Sequence, residues 1–201
     1  MSEISQLKKI EIFKDLNDEE LSALADICTP ILLAKKEKLA EPDRTFNQIF
    51  LIKNGLIRWY NFDELGNEFS PFLPSERENV LMTTPEVYLG GDRSKYIIEA
   101  VVDTELLLFD FKKFEEVCER FPKIQKIYLE SLKNIAAAMV SRIEQLCTKA
   151  PEERYEDFLS ERPFTSQNAS RKYIANFLGI TANSLSRLTA RIQKNRKFKK
   201  N

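Results

Sequence analysis

Two short helices joined by a tight turn are predicted by the sequence between Ser170 and Asn195, SRKYIANFLGITANSLSRLTARIQKN. Glycine accepts the left-handed backbone that a helix end often needs, so Gly179 is expected to end the first helix, and Ile180 can pack back onto it. Apolar residues of the first helix recur at the spacing of one buried face: Tyr173, Ile174, Phe177 and Leu178. The pattern is that of a helix-turn-helix unit.

The second helix is predicted to begin after Thr181, whose hydroxyl can accept a backbone N–H. Its apolar face consists of Leu185, Leu188 and Ile192. The opposite face is small, amide-bearing and cationic, with Ala182, Asn183, Ser184, Arg187 and Arg191. Such a face suits the major groove of DNA. A helical hairpin buried in a core is the alternative, because two-helix turns are common packing units.

Charge favours DNA as the partner of this unit. Between Arg162 and Asn201 there is no Asp or Glu, whereas the basic residues are Arg162, Arg171, Lys172, Arg187, Arg191, Lys194, Arg196, Lys197, Lys199 and Lys200. An unbroken positive segment favours a polyanionic partner. The whole chain balances 31 basic against 31 acidic residues, so the segments before it carry the acidic excess. Those acidic segments are expected to be repelled by DNA.

Composition excludes several classes of protein. The chain has no histidine, which excludes imidazole catalysis, most zinc sites and His-ligated haem. Its three cysteines, Cys28, Cys118 and Cys147, are too widely spaced for a disulfide framework or a metal cluster. No catalytic constellation is present, so neither an enzyme nor a cofactor nor a metal is expected. Without a signal peptide or a run of about 20 apolar residues, we expect a cytoplasmic protein that does not enter a membrane.

The first half of the chain changes from helix to strand. Ile4 to Ala25 is predicted to be helical, with Asn17 or Asp18 as a cap. From Thr29 to Phe111, short apolar runs bounded by Gly, Asn, Asp and Pro predict an antiparallel sheet or barrel. Two turns are predicted within it: a two-residue hairpin at Lys53-Asn54-Gly55, and a longer turn from Asp63 to Asn67.

Three further helices are predicted at 111–122, 123–148 and 151–162. The last is expected to pack under the two-helix unit. The second contains no glycine or proline, and its apolar residues follow a nearly coiled-coil spacing: Ile124, Tyr128, Leu132, Ile135, Met139, Ile143 and Leu146. Periodicity alone leaves open whether these residues form a core stripe or a dimer seam.

The order of elements resembles the Crp/Fnr family of bacterial transcription regulators over nearly the whole chain. SKYIIEAVVDTELLLFDFKKFEEV, beginning at Ser94, looks like the last strands of a cyclic-nucleotide-binding barrel, and YIANFLGITANSLSRL, beginning at Tyr173, looks like the family's helix-turn-helix. The resemblance implies an α+β fold. It has an antiparallel, jelly-roll, cyclic-nucleotide-binding-like sensor domain at 1–121, a dimerisation helix at 122–148 and a helix-turn-helix DNA-binding domain at 149–201.

The resemblance also implies partners and contacts. The long helix would pair with its twin in a homodimer, and the partner would be double-stranded DNA. Base contacts would come from Ala182, Asn183, Ser184 and Arg187, and phosphate contacts from Arg171, Lys172, Thr181, Arg191 and Lys194. Asn183 could read adenine and Arg187 guanine, although Arg187 touching only phosphate is an alternative. The family often has arginine and glutamate at the positions of Ala182 and Asn183, which implies a different half-site here.

The effector site departs from the family pattern. Members that bind cyclic AMP use a glutamate near the ribose and an arginine-serine pair on the cyclic phosphate. The corresponding loop here, VLMTTPEVYLGGDRSKY, offers Gly90, Gly91, Arg93 and Ser94. A slip of one residue in a strand reverses the face of a side chain, which would turn Arg93 outward. We therefore expect an unidentified small-molecule effector other than cyclic AMP, or none.

The C-terminus departs as well. Family members usually continue into a β-hairpin wing, whereas RKFKKN, beginning at Arg196, is expected to act as a flexible basic tail. The sequence predicts a homodimeric, sequence-specific DNA-binding transcription regulator. The alternative is a cytoplasmic small-molecule-binding or scaffold protein whose helical tail binds protein.

Overall fold

Seven strands form two antiparallel sheets in the computed structural model, which describes residues 3–42, 44–78 and 80–198. One sheet has the order β1-β7-β3 and the other β2-β6-β4-β5. The strands are β1 (Cys28–Leu33), β2 (Lys38–Ala40), β3 (Gln48–Asn54), β4 (Ile57–Phe62), β5 (Glu68–Phe72), β6 (Ile97–Ala100) and β7 (Thr104–Asp110). The predicted jelly-roll barrel is thus realised as a two-sheet sandwich within an α+β fold.

Strands β3 and β7 of the three-stranded sheet are buried on both faces. In β3, Ile49 and Leu51 pack towards the N-terminal helices, whereas Phe50 and Ile52 pack into the core shared by the two sheets. Successive side chains of a strand point to opposite faces, so both faces must be covered. This double burial explains why the runs in β3 and β7 are continuously apolar rather than alternating.

The N-terminal helical region is interrupted rather than continuous. It contains α1 (Glu3–Leu7), a 3-10 turn (Glu11–Phe13) and α2 (Asp18–Ala25). Asn17 is the cap of α2: its side chain accepts from the Glu20 N–H at 2.9 Å, and the Glu20 carboxylate accepts from the Asn17 N–H at 2.8 Å. This reciprocal capping box starts α2 at a fixed point.

One predicted turn is confirmed and the other is wrong. Asp63 to Asn67 joins the paired strands β4 and β5, and Asp63 Oδ1 accepts from the N–H of Asn67 at 2.8 Å. Lys53-Asn54-Gly55 does not close a hairpin, because β3 pairs with β7 whereas β4 pairs with β5 and β6. The turn instead carries the chain from one sheet to the other.

The remaining helices are α3 (Pro85–Tyr88), α4 (Phe111–Arg120), α5 (Pro122–Thr148), α6 (Pro151–Glu161), α7 (Pro163–Asn168), α8 (Arg171–Leu178) and α9 (Ala182–Phe198). The short helix α7 was not predicted from the sequence. Within the described ranges, no helix is long and apolar enough to cross a membrane.

A buried guanidinium connects the sandwich to α8. Arg58 of β4 has a side chain only 6% exposed, and its guanidinium carbon lies 3.8 Å from the ring centroids of both Tyr60 and Tyr173. Its Nε donates to Glu99 at 3.1 Å, and its Nη1 donates to Glu68 at 2.7 Å. We call these five residues the Arg58 cluster.

The environment of the Arg58 cluster stabilises the charged form of Arg58 and the neutral form of Tyr60. Burial alone would lower the pKa of Arg58, but the hydrogen bond and charge of Glu99, with the charge of Glu68, raise it overall. Burial and the charge of Glu99 raise the pKa of Tyr60 to about 12. The tyrosine therefore stays neutral and donates its hydroxyl to Glu99 at 3.2 Å.

Further contacts fix α8 against the sandwich. Glu68 also accepts from Lys172 at 2.7 Å and from the Asn176 amide at 2.6 Å. Beneath these polar contacts lies a mixed apolar cluster, in which residues of the sandwich pack with residues of the C-terminal helices: Leu56, Leu73, Val101, Phe158, Ile174, Phe177 and Leu178. The C-terminal helices thus share a core with the sandwich.

We expect Gly55→Ala to destabilise the chain more than Gly66→Ala. Both glycines have positive φ, 116° and 79°, which costs an alanine about 1–2 kcal/mol. A Cβ at Gly55 would lie 2.5 Å from Thr104 Oγ1, whereas one at Gly66 meets nothing within 4 Å. Overpacking should add about 1–3 kcal/mol at Gly55. Urea unfolding measures both free energies of unfolding. Equal losses would show that Thr104 moves away from the new Cβ without a cost in stability.

We expect Arg58→Ala to lower the free energy of unfolding by about 3–5 kcal/mol, because it leaves the carboxylates of Glu68 and Glu99 buried without their main cation. Arg77→Ala is the matched control, since Arg77 is 76% exposed and pairs with its neighbour Glu76 at 3.6 Å. That change should stay within about 0.5 kcal/mol. The free energies are measured by urea unfolding. Similar losses for both variants would show that Arg58 is not the main link between the sandwich and α8.

Candidate DNA interface

The turn of the predicted helix-turn-helix has the expected backbone geometry. Ser170 caps α8, because its hydroxyl accepts from the Tyr173 N–H at 3.3 Å. Gly179 has φ 69°, and its N–H bonds the Asn176 carbonyl at 3.2 Å, while the Ile180 N–H bonds the Ala175 carbonyl at 3.0 Å. This pair of bonds is a Schellman motif, which satisfies the last carbonyls of α8.

The predicted start of α9 is confirmed. The Thr181 hydroxyl oxygen accepts from the Ser184 N–H at 3.1 Å, and the same hydroxyl lies 2.9 Å from the Ser184 hydroxyl. The predicted inner face is buried: Leu185, Leu188 and Ile192. The capped helix is therefore held with one defined face towards solvent.

The solvent face of α9 carries most of the side chains that the sequence assigned to bases. Ala182, Asn183 and Arg187 are exposed, whereas Ser184 is half-buried and engaged with Thr181. Asn183 and Arg187 are four residues apart, so they lie on one side of the helix. An amide and a guanidinium presented together can donate to and accept from base edges in a major groove.

The side chains predicted to contact phosphates differ in their exposure and in their ion pairs. Arg171 and Lys194 are exposed. Lys172 is paired with Glu68, and Arg191 with Glu152 of α6. The Thr181 hydroxyl serves as a cap. Lys172 and Arg191 would have to exchange these carboxylates for phosphates in order to contact DNA.

The basic end of the chain is only partly described. Helix α9 continues to Phe198, so the first part of the expected flexible tail is helical. Residues 199–201 lie outside the described residues.

The loop that the sequence assigned to an effector is engaged in local contacts. The buried Ser94 hydroxyl donates to the Tyr96 carbonyl at 2.8 Å and accepts from the Tyr96 N–H at 2.9 Å. Arg93 is exposed, as are Gly90 and Gly91. The structure therefore does not bring an arginine and a free serine hydroxyl together in this loop.

Aromatic rings occupy the interior of the sandwich beside this loop. The chain of ring contacts has centroid distances of 5.1 to 6.4 Å and consists of Phe46, Phe50, Trp59, Phe72 and Tyr96. These rings belong to or pack on the core between the sheets.

The residues of the candidate dimer seam divide into two groups. Ile124 is fully buried, and Tyr128 packs edge-on against Phe114 with centroids 5.4 Å apart, so both belong to the core of their own chain. Leu132 and Ile135 are half-buried. Met139, Ile143 and Leu146 are 43 to 60% exposed. The spacing of the sequence could not separate these groups, because one continuous apolar stripe contains both the buried and the exposed residues.

Two exposed apolar residues of α5 were not predicted from the sequence. Leu129 is 49% exposed and Val140 is 65% exposed. Both lie beside the predicted stripe, one position after Tyr128 and Met139. The exposed apolar surface of α5 is therefore rotated slightly from the predicted one, and we call Leu129, Met139, Val140 and Ile143 the exposed stripe.

Comparison with known proteins agrees with this geometry, although no protein-family profile matches the sequence. The chain is 25% identical over 194 residues to the transcriptional activator protein FnrA of Stutzerimonas stutzeri, covering 90% of this chain and 77% of the relative. Among solved structures, FixK2 from Bradyrhizobium japonicum matches with a TM-score of 0.70 and 17% identity, over 84% of this chain and 86% of the other.

A transcriptional regulator from Eubacterium rectale that is assigned to the Crp/Fnr family matches with a TM-score of 0.69 and 17% identity, over 92% of this chain and 87% of the other. The two structures establish the fold, and the relative in sequence is a regulator of transcription. Together with the exposed amide and guanidinium of a capped helix-turn-helix, these likenesses indicate a DNA-binding regulator of transcription that has the same fold as the two solved regulators.

Proposed function

We propose that the chain acts as a homodimer that recognises a two-fold symmetric DNA site through α9. The observation that carries the proposal is the exposure of Asn183 and Arg187 on the solvent face of a helix whose start and inner face are fixed. Ala182 adds a small apolar contact of the kind that a thymine methyl accepts. Arg171, Lys172, Arg191 and Lys194 supply backbone affinity without sequence information.

We propose a separate role for each of three segments of the chain. Residues 1–121 form the sensor, 122–148 the dimerisation helix, and 149–201 the DNA-binding part. The dimer contact is the exposed stripe of α5, because four large apolar side chains along one helix would otherwise face water. A two-fold pairing of α5 gives each dimer two copies of α9, as a pseudo-palindromic site requires.

Replacement of Asn183 and Arg187 by alanine should reduce the ratio of specific to non-specific affinity. Each bidentate base contact contributes about 1–3 kcal/mol of discrimination, or roughly 5- to 150-fold. The specific site is first obtained by selecting bound fragments from random DNA, and binding is then measured by fluorescence anisotropy on that site and on scrambled DNA.

Arg171→Ala is the matched control for this experiment. It should weaken binding to both DNAs alike and reduce the slope of log affinity against log salt by about 0.9. If the double variant also loses affinity equally on both DNAs, Asn183 and Arg187 contact phosphate rather than bases. A selected motif without two-fold symmetry would count against the dimer.

Val140→Glu combined with Ile143→Glu should convert the dimer to a monomer, because it places charges in the middle of the exposed stripe. Both side chains are at least 60% exposed, so the fold of the single chain should persist. Asn134→Glu, at an exposed position on the opposite side of α5, is the control and should leave the dimer intact. Sedimentation equilibrium reports the mass, and a double variant that still sediments as a dimer would place the interface elsewhere.

A further inference from the structure

A cavity of about 560 Å³ lies where the sandwich, α5 and the DNA-binding helices meet. Its apolar walls come from Phe72 of β5, Met139 and Leu146 of α5, Phe158 of α6 and Phe177 of α8. The volume is within the range of about 300–1,000 Å³ that is usual for small-molecule sites. The cavity is separate from the loop of Gly90 to Ser94.

Three arginines line the same cavity: Arg142 of α5, Arg154 of α6 and Arg162 after α6. The guanidinium carbon of Arg142 lies 4.4 Å from the ring centroid of Phe177, and that of Arg162 lies 5.4 Å from the same centroid. Two cations thus share one aromatic ring. Neighbouring like charges repel each other unless an anion lies beside them, as Glu78 does beside Arg162.

The hydrogen-bonding capacity of these arginines is only partly used. Arg154 Nη1 donates to the Lys149 carbonyl at 2.8 Å, and Arg162 Nη1 donates to Glu78 at 2.9 Å. In the described part of the chain, however, Arg142 Nη1 and Arg154 Nε are buried and have no hydrogen-bond partner. Arg154 itself is only 8% exposed. Buried donors without an acceptor cost free energy, which a bound acceptor would recover.

The local field is positive. Burial, together with the charges of Arg154 and Arg162, lowers the pKa of Arg142 to about 10. The lining includes one carboxylate, Glu161, which is exposed to solvent. An anion bound in the cavity would offset the repulsion among these guanidinium groups.

We propose that this cavity binds a small molecule that carries a carboxylate or a phosphate monoester on an apolar body. The anion bonds Arg142 and Arg154, and the body lies against Phe72 and Phe177. Arginine is suited to this task because its planar donors match both anions. This inference deepens the proposed function by naming the ligand class of the regulator.

Such a ligand would act on DNA binding through the walls it touches. It contacts β5, which carries Glu68 at its start, and α8, whose Lys172 and Asn176 bond Glu68. A ligand that prefers one position of α8 on the sandwich shifts the population towards that position. The position of α9 follows, because Leu185 of α9 packs in the same apolar cluster as Ile174 and Leu178 of α8.

The test is calorimetric titration of the full-length chain with 1-naphthoate, 1-naphthyl phosphate and the neutral isostere 1-naphthalenemethanol. We expect at least one anion to bind about tenfold or more tightly than the neutral compound, as a charge-assisted hydrogen bond implies. Arg142→Met should reduce the affinity of that anion by a similar factor and leave the neutral compound unchanged. Arg142→Lys should retain part of the preference for the anion. Comparing the two anions distinguishes a carboxylate site from a phosphate site.

Arg93→Met is the matched control, because Arg93 is exposed in the loop of Gly90 to Ser94, outside the cavity. It should leave the binding of the anion unchanged. Loss of binding in Arg93→Met with retention in Arg142→Met would overturn the proposal and place the anion at the loop. Equal affinity for the neutral compound, or binding of none of the three, would also overturn it.

Circular dichroism melting establishes that each variant is folded, and Arg154→Met provides a second removal of charge should Arg142→Met unfold. DNA binding is measured on the same preparations without any probe. A chain that binds its selected DNA but no anion would contradict the ligand site and leave the proposed DNA recognition standing. A chain that binds the anion but no preferred DNA sequence would contradict the proposed recognition alone.

Discussion

The position of the DNA-binding helices depends on the buried ion cluster around Arg58. The guanidinium is stacked between Tyr60 of the sandwich and Tyr173 of α8, and Glu68 bonds both Arg58 and Lys172. Removing one member of a buried ion cluster is expensive because the remaining charges lose their compensation. The cluster therefore fixes where α8 sits on β5, and with it the direction in which α9 presents its outer face.

The boundary between the sandwich and the C-terminal helices also contains charged groups that are not fully paired. Beside the Arg58 cluster, whose charges are paired, lies a cavity whose arginines are only partly paired. The two regions share the strand β5 and the helix α8, so a change of charge in the cavity acts on the elements that the cluster holds. Helix α5 contributes Arg142 to the cavity and its exposed stripe to the proposed dimer, so the proposed ligand site and the proposed dimer contact lie along one helix.

Local sequence patterns were sufficient to predict those features that depend on residues close together in the chain. The cap of Thr181, the turn at Gly179 and the buried faces of α8 and α9 follow from residues within four positions of each other. The capping of α2 by Asn17 is of the same kind. The hairpin predicted at Lys53-Asn54-Gly55 was wrong because Asn-Gly indicates a turn but does not indicate which strands pair across it. There, Gly55 is required by its approach to Thr104, a contact 49 positions along the chain.

The sequence by itself determined the order of the elements, the helix-turn-helix and the amide and guanidinium on its outer face, because these follow from helical and strand periodicity and from local capping. The tertiary structure decided the rest. It placed Glu99 beside Arg58 across 41 positions and Glu68 beside Lys172 across 104, buried Ile124 within its own chain, and gathered three arginines around one cavity. Long-range pairing of charges and the division of one apolar stripe between the core and the surface depend on packing in three dimensions, which a local pattern does not contain.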